Sequence, residues 1–278
     1  MIMPIEVPGG HRAPPGSPPF PGGIGVSHLR VYDWPATDGL RGGTPHCHTA
    51  CTEAYAVVAG SGRVHTLGGD GFAETPLEPG AFVWFTPGTI HRLVNDSGDL
   101  EILVLMQNAG LPEAGDMVLT LPDELLADPA RYSEAAGLPE GALTTDGDDG
   151  PARARRDLAV EGFLALRAAI GDESDPSQRF GSIDHHMRGQ TTQIGCADGP
   201  LAHFHARAAA LVKPRVETWR AVWAAGPKAA VAATAAQLDA LAAGDASNLA
   251  DSAVHALPPP PEPRRFGCCG TLGVHVPA

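Results

Sequence analysis

The chain has 278 residues, 43% of them hydrophobic, and carries 32 acidic against 19 basic side chains for a net charge of −13. That length and apolar content suit one compact domain with a substantial extension. The charge argues against nucleic acid as a partner, since a phosphate-binding surface needs clustered Lys and Arg, and the Arg groups here are short (Arg153, Arg155, Arg156; Arg264, Arg265).

Residues 1–25 are rich in Pro and Gly and read as an extended arm. They contain no basic stretch followed by a long apolar run, so no secretory signal is expected, and Pro, Gly or charge interrupts every apolar run that could span a membrane. A cytoplasmic protein without a membrane partner is the expectation. The five cysteines, Cys47, Cys51, Cys196, Cys268 and Cys269, form no C-x-x-C pair and read as reduced thiols.

Residues 26–120 carry the signals of short strands. Ala54–Val58, Gly62–Leu67, Ala81–Phe85 and Leu100–Met106 are rich in β-branched, aromatic and aliphatic residues, and Gly, Pro, Asn or Asp separates them. Many short strands at this spacing indicate a sandwich or barrel. After residue 121 the texture becomes helical. Pro122 and Pro129 open short helices, Arg153–Ile170 is amphipathic, and Leu201–Ala225 is a helix that Pro214 must kink or divide. Ala229–Ala243 is an Ala-rich helix ended by Gly244. Pro258–Pro261 reads as a stiff spacer before a short tail. The organisation expected is therefore an arm (1–25), a β-barrel (26–120) and a helical extension with tail (121–278).

Two segments carry chemistry. In the first, His46 and His48 stand two apart on a strand and face the same way, and Glu53 opens the next strand. Cys47, between them, points away and reads as a packing residue. In the second, a strand and a Pro87-Gly88 turn lead to His91. Three imidazoles and one carboxylate suit one divalent transition metal (Fe, Mn, Ni, Co, Cu or Zn) rather than Ca or Mg, which prefer oxygen ligands alone.

These segments resemble the two motifs of the cupin superfamily. His46-Cys47-His48, four intervening residues, Glu53, six more and Gly60 follow the first motif. Gly80, Gly88, His91 and Asn95 follow the second, except that Thr86 holds the usual Pro position and Pro87 the variable one. The resemblance covers roughly residues 40–108. It implies a mainly β fold, the double-stranded β-helix or jelly-roll barrel, here with a mainly α-helical C-terminal extension. It also implies a metal held by His46, His48, Glu53 and His91 in the barrel mouth, where a small-molecule substrate binds.

Other candidates are weaker. His203 and His205 lie in a helix, where residues two apart diverge by roughly 200°. Asp184, His185 and His186 sit in irregular sequence. Trp219 and Trp223 form a helix face suited to core or interface packing. Arg63, His65 and Arg92 flank the motifs and could reach an anionic substrate, although the sequence leaves open which face each takes. Three functions remain: a metal-dependent oxygenase of the Fe(II) type, a Lewis-acid isomerase acting on a sugar-like substrate, and a non-catalytic binding module. A homodimer is expected, with the arm, the Leu158–Leu166 face and the Trp219–Trp223 face as coverings for exposed sheet edges.

Overall fold

A computed structural model describes residues 20–107, 115–171, 199–256, 259–260 and 262–275. Most of the N-terminal arm and the Asp184, His185 and His186 cluster lie outside them. The strands are β1 (Gly25–Val31), β2 (His46–His48), β3 (Glu53–Ala59), β4 (Gly62–Gly68), β5 (Gly71–Leu77), β6 (Phe82–Phe85), β7 (Ile90–Asn95), β8 (Glu101–Met106), β9 (Met117–Leu119), β10 (Arg265–Phe266) and β11 (Gly270–Val274). The α-helices are α1 (Asp123–Leu126), α2 (Pro129–Ala136), α3 (Gly150–Ile170), α4 (Pro200–Val212), α5 (Val216–Ala225) and α6 (Pro227–Ala242).

The strands form two antiparallel sheets, in the orders β10-β11-β1-β8-β3-β6 and β5-β4-β7-β2-β9. The fold is a cupin-type β-sandwich with a helical C-terminal region. Register settles which side chains meet between the sheets. Tyr55 stands opposite Val104 and Val83, and Val57 opposite Ile102. In the second sheet His46 stands opposite His91, and His91 opposite Thr66. Leu29, Tyr55, Val57, Val64, Leu93 and Ile102 fill the space between and are almost fully buried. At about 25 cal/mol per Å2 of apolar surface, each such aliphatic side chain contributes roughly 1.5–3 kcal/mol.

The outer face of the second sheet is covered by α3. Its Gly162 passes so close that a Cβ there would stand 2.1 Å from Thr120 O. Thr120 Oγ1 donates to Ala159 O at 2.9 Å, and the Arg167 guanidinium lies 3.5 Å from the Phe72 ring centroid. Phe163 is fully buried, and Leu158 and Leu166 pack against the core. The Leu158–Leu166 face, expected to cover a partner, is thus used within the chain. Pro214 divides its helix as expected: a 3-10 turn over Lys213–Arg215 separates α4 from α5.

The tail departs from expectation. β10 and β11 form a hairpin, and β11 pairs with β1 along Ser27–Val31. The segment read as a tail therefore extends the first sheet. Its run Thr271–Val274 is short and interrupted by Gly273, so it gave too little alternation to read as a strand.

Candidate metal centre

β2 delivers His46 and His48 to the interior, β7 delivers His91, and Glu53 comes from the facing sheet at the start of β3. The turn between β6 and β7 supports this arrangement: Gly88, at φ +88°, donates its N–H to His48 O at 2.8 Å. Asn95, the last residue of the second motif, is a clamp. Its amide donates to Val31 O at 3.1 Å and its carbonyl accepts from Gly98 and Leu100 N–H at 2.8 and 3.2 Å.

The four side chains are buried, and one donor atom from each lies within 4.8 Å of the others. His46 Nδ1 is 2.8 Å from Thr44 O, His91 Nδ1 is 3.1 Å from Thr89 O, and His48 Nδ1 is 2.8 Å from Asp116 Oδ1. Those oxygens only accept, so each Nδ1 carries the ring proton and each Nε2 turns a lone pair inward. His46 Nε2 and His91 Nε2 stand 3.1 Å apart. Glu53 Oε2 lies 2.9 Å from His91 Nε2 and 3.5 Å from His48 Nε2, yet it receives no hydrogen bond. Lone pairs and a carboxylate facing one another repel unless a cation lies between them. An ion about 2.1 Å from each donor spaces adjacent donors about 3.0–3.4 Å apart, so the residues present fit a transition metal.

The electrostatics favour positive charge here. Burial disfavours imidazolium at His46, but neighbouring Cys268, Glu53 and the Thr44 carbonyl outweigh it and hold the group at about 9. His48 is also raised, because Glu53 and Asp116 overcome its burial. His91 is lowered, by burial and by His46 beside it. Burial pushes Glu53 upward, but His91 and His48 opposite pull it down to about 2. A site that attracts protons to two imidazoles and not to the third is better satisfied by one ion among neutral rings.

The structure brings His46, His48, Glu53 and His91 together and leaves the weaker candidates apart. His203 pairs with Asp123 at 2.8 Å and His205 with Gly88 O at 2.9 Å, so they serve separate contacts. Arg63 pairs with Asp96, His65 with Glu74 at 2.8 Å, and Arg92 with Asp38. Alternation from inward-facing His91 and Thr66 places Arg92 and His65 on the outer face, and Arg63 shares that face.

Three features escaped the sequence reading. Asp116, fully buried just before β9, orients His48 and accepts the Ala50 and Cys51 N–H groups at 2.9 and 2.8 Å. It lies 63 residues beyond Glu53 and outside both motifs, so nothing local marks it. Tyr55 was legible, since two residues past Glu53 on a strand it must face the same way. Its hydroxyl is buried and turned toward Glu53, but no described atom meets it at hydrogen-bond geometry. The third is the approach of Cys268 and Cys269 to His46, which depends on the unforeseen hairpin.

Comparison with known proteins agrees with this geometry. Residues 38–106 match the cupin domain family, about a quarter of the chain. That segment is a cupin domain. No curated protein sequence matches it. Solved structures similar to part of it include a predicted oxalate decarboxylase from Thermotoga maritima, with 20% identity over 30% of this chain and 63% of that one and a TM-score of 0.23. A putative sugar phosphate isomerase from Acidithiobacillus ferrooxidans shows 25% identity over 30% of this chain and 49% of that one, with a TM-score of 0.24. A cupin protein from Bacteroides fragilis shows 20% identity over 30% and 60%, with a TM-score of 0.21. In each case the match spans less than two thirds of the other chain, and likeness at this level carries no argument about activity.

Proposed function

We propose that the protein is a metal-dependent enzyme of the oxygenase class, in which His46, His48, Glu53 and His91 hold one divalent transition metal, Fe(II) in the active form, against a small apolar substrate. The observation that carries the metal is the convergence of three Nε2 atoms, each with its Nδ1 held by an acceptor, on a carboxylate oxygen that receives no hydrogen bond. When bound, the metal supplies an electrophilic, redox-active point at which dioxygen and an oxidisable substrate can meet.

The chain's own residues do the rest. Thr44 O, Thr89 O and Asp116 fix the ring tautomers, so the donors are set before any ligand arrives. Phe85 stacks on His91 with centroids 4.7 Å apart, and with Met106 and Val104 it makes an apolar wall that excludes water. Tyr55 offers a buried hydroxyl beside Glu53, with no partner at hydrogen-bond geometry among the described residues, that can donate to substrate or pass it a proton.

Choosing the oxygenase over a Lewis-acid isomerase rests on where the cations are. A sugar phosphate or similar anion needs Arg or Lys in the pocket. Arg63 and Arg92 instead face outward, in ion pairs. The test is to load stripped protein with Fe(II) under argon and follow oxygen uptake with candidate substrates. Turnover that requires both Fe(II) and O2 is expected. Turnover that continues without O2, and equally with Zn or Mn, would overturn the oxygenase reading in favour of the isomerase.

A further inference from the structure

The C-terminal hairpin carries a second set of donors to the other side of His46. β10 and β11 are joined by a tight turn, closed by Gly267 N–H donating to Gly270 O at 2.8 Å, with Cys268 and Cys269 at its tip. Three positions grip that tip. Thr44 donates to Cys268 O from both its N–H (3.2 Å) and its hydroxyl (2.6 Å), and Tyr32 N–H donates to Cys269 O at 3.1 Å. Gly43 packs so closely that a Cβ there would stand 2.7 Å from Cys269 Cα and 3.0 Å from its Sγ.

The consequence is a buried cluster. Cys268 Sγ lies 3.4 Å and Cys269 Sγ 3.9 Å from His46 Nδ1, and the three ligand atoms all lie within 4.8 Å of one another. Neither cysteine is in a disulfide. Thr44 O lies 3.6 Å from Cys268 Sγ and 3.9 Å from Cys269 Sγ, a possible fourth donor on the same side.

We propose that Cys268 Sγ, Cys269 Sγ and His46 Nδ1 form a second metal site, distinct from the three-His, one-Glu centre and selective for a thiophilic ion such as Zn2+, Cd2+ or Cu+. Two thiolates and an imidazole are a soft donor set, whereas the first centre offers only nitrogen and oxygen. Binding releases one proton from each thiol to solvent, and the Nδ1 proton as well, which ends its hydrogen bond to Thr44 O. His46 then links the two sites, with Nε2 toward the first and Nδ1 toward the sulfurs.

The test is titration of the reduced, metal-stripped, full-length protein with Cd2+, following thiolate-to-cadmium charge-transfer absorption in the ultraviolet. The first centre has no sulfur and is silent in this measurement. A saturable band is expected in the wild-type protein, and it should be lost in C268S/C269S together with one equivalent of bound Cd2+. In His48→Ala the band should persist while the other equivalent is lost. A cadmium count unchanged by His48→Ala would refute the first centre and leave the sulfur site standing. Absence of a band at saturating Cd2+, or a band undiminished in C268S/C269S, overturns the proposal. A readout in unmutated protein guards against misfolding of the variant. Cd2+ should slow alkylation of the C-terminal peptide holding Cys268 and Cys269 at least tenfold relative to the peptide holding Cys47 and Cys51. Equal rates with and without Cd2+ would also overturn it.

Discussion

At the scale of single residues, the proposed centre depends as much on what stands behind the imidazoles as on the imidazoles themselves. Asp116 holds His48 by one carboxylate oxygen and the backbone of Ala50 and Cys51 by the other. Asp116→Asn removes the charge and can present an N–H to His48 Nδ1, which would favour the wrong tautomer. Metal affinity should fall about 10–100-fold in a chelator competition, with the fold retained by circular dichroism. Tyr55→Phe should separate activity from stability. Removing a buried hydroxyl without a partner is expected to raise stability by about 1 kcal/mol in urea titration. The same change should leave metal content intact and lower turnover at least tenfold, by loss of the Tyr55 hydroxyl beside Glu53. Retained turnover would show the hydroxyl to be idle. Affinity for the ion should also depend on pH in a fixed direction. His46 and His48 are raised by their neighbours, so protons compete with an incoming ion for their Nε2 lone pairs. Affinity therefore weakens as pH falls from about 9 toward 5, and a flat profile in that window would count against these ligands. The four clustered side chains were readable in the sequence because their spacing over β2, β3 and β7 is itself the geometry. Asp116 was not, because a buried carboxylate is recognised only by its partners.

At the scale of elements, the barrel strands were legible through Gly- and Pro-bounded runs of β-branched, aromatic and aliphatic residues, and the helices through Pro near their starts. The C-terminal hairpin was not, since β10 has two residues and β11 includes two glycines. Such strands exist because β1 offers an edge, which is tertiary information. The same holds for the loop between β1 and β2, which is tied down by an ion pair buried on its Arg92 side. Arg92, on β7, is fully buried and grips Asp38 with two nitrogens, one of them 3.1 Å from Asp38 Oδ1. Asp38→Ala leaves that guanidinium buried without its counter-charge, and a loss of about 3–5 kcal/mol is expected in chemical denaturation. The pair also sets a pH dependence. Burial pushes Asp38 up, but the Arg92 hydrogen bond and charge prevail and lower it. A lowered carboxylate contributes fully above its unfolded value near 4 and loses that contribution as pH falls through the folded value. Acid destabilisation below about pH 4 should therefore be shallower in Asp38→Ala than in the wild-type protein.

At the scale of the whole molecule, the two outer faces of the sandwich are unlike. That of the second sheet lies under α3. That of the first sheet carries the His28–Glu101–Arg30 ion pairs on β1 and β8 and is apolar beside them, along β8, β3 and β6. With Glu53, Tyr55 and Val57 inward, Ala54, Ala56 and Val58 turn out. Ala54 stands between Trp84 and Leu105, and Ala56 between Phe82 and Leu103. Phe82 is 53% and Trp84 66% exposed, on β6 at the edge of the sheet. Small residues flanked by aromatics and leucines make a flat strip that a second sheet can cover at a spacing of about 10 Å. A second copy of this chain meets that need by two-fold symmetry, with each strip lying on its equivalent. We propose the β3–β6–β8 face as the homodimer interface, in place of the α3 face that the chain itself occupies. Light scattering should give twice the chain mass at micromolar concentration. Trp84→Glu puts a charge on the exposed edge of the strip and should shift the protein to monomer. It should leave metal content unchanged, because Trp84 points away from the interior. A wild-type monomer across that concentration range would refute the dimer, and a Trp84→Glu protein that remains dimeric would move the interface elsewhere.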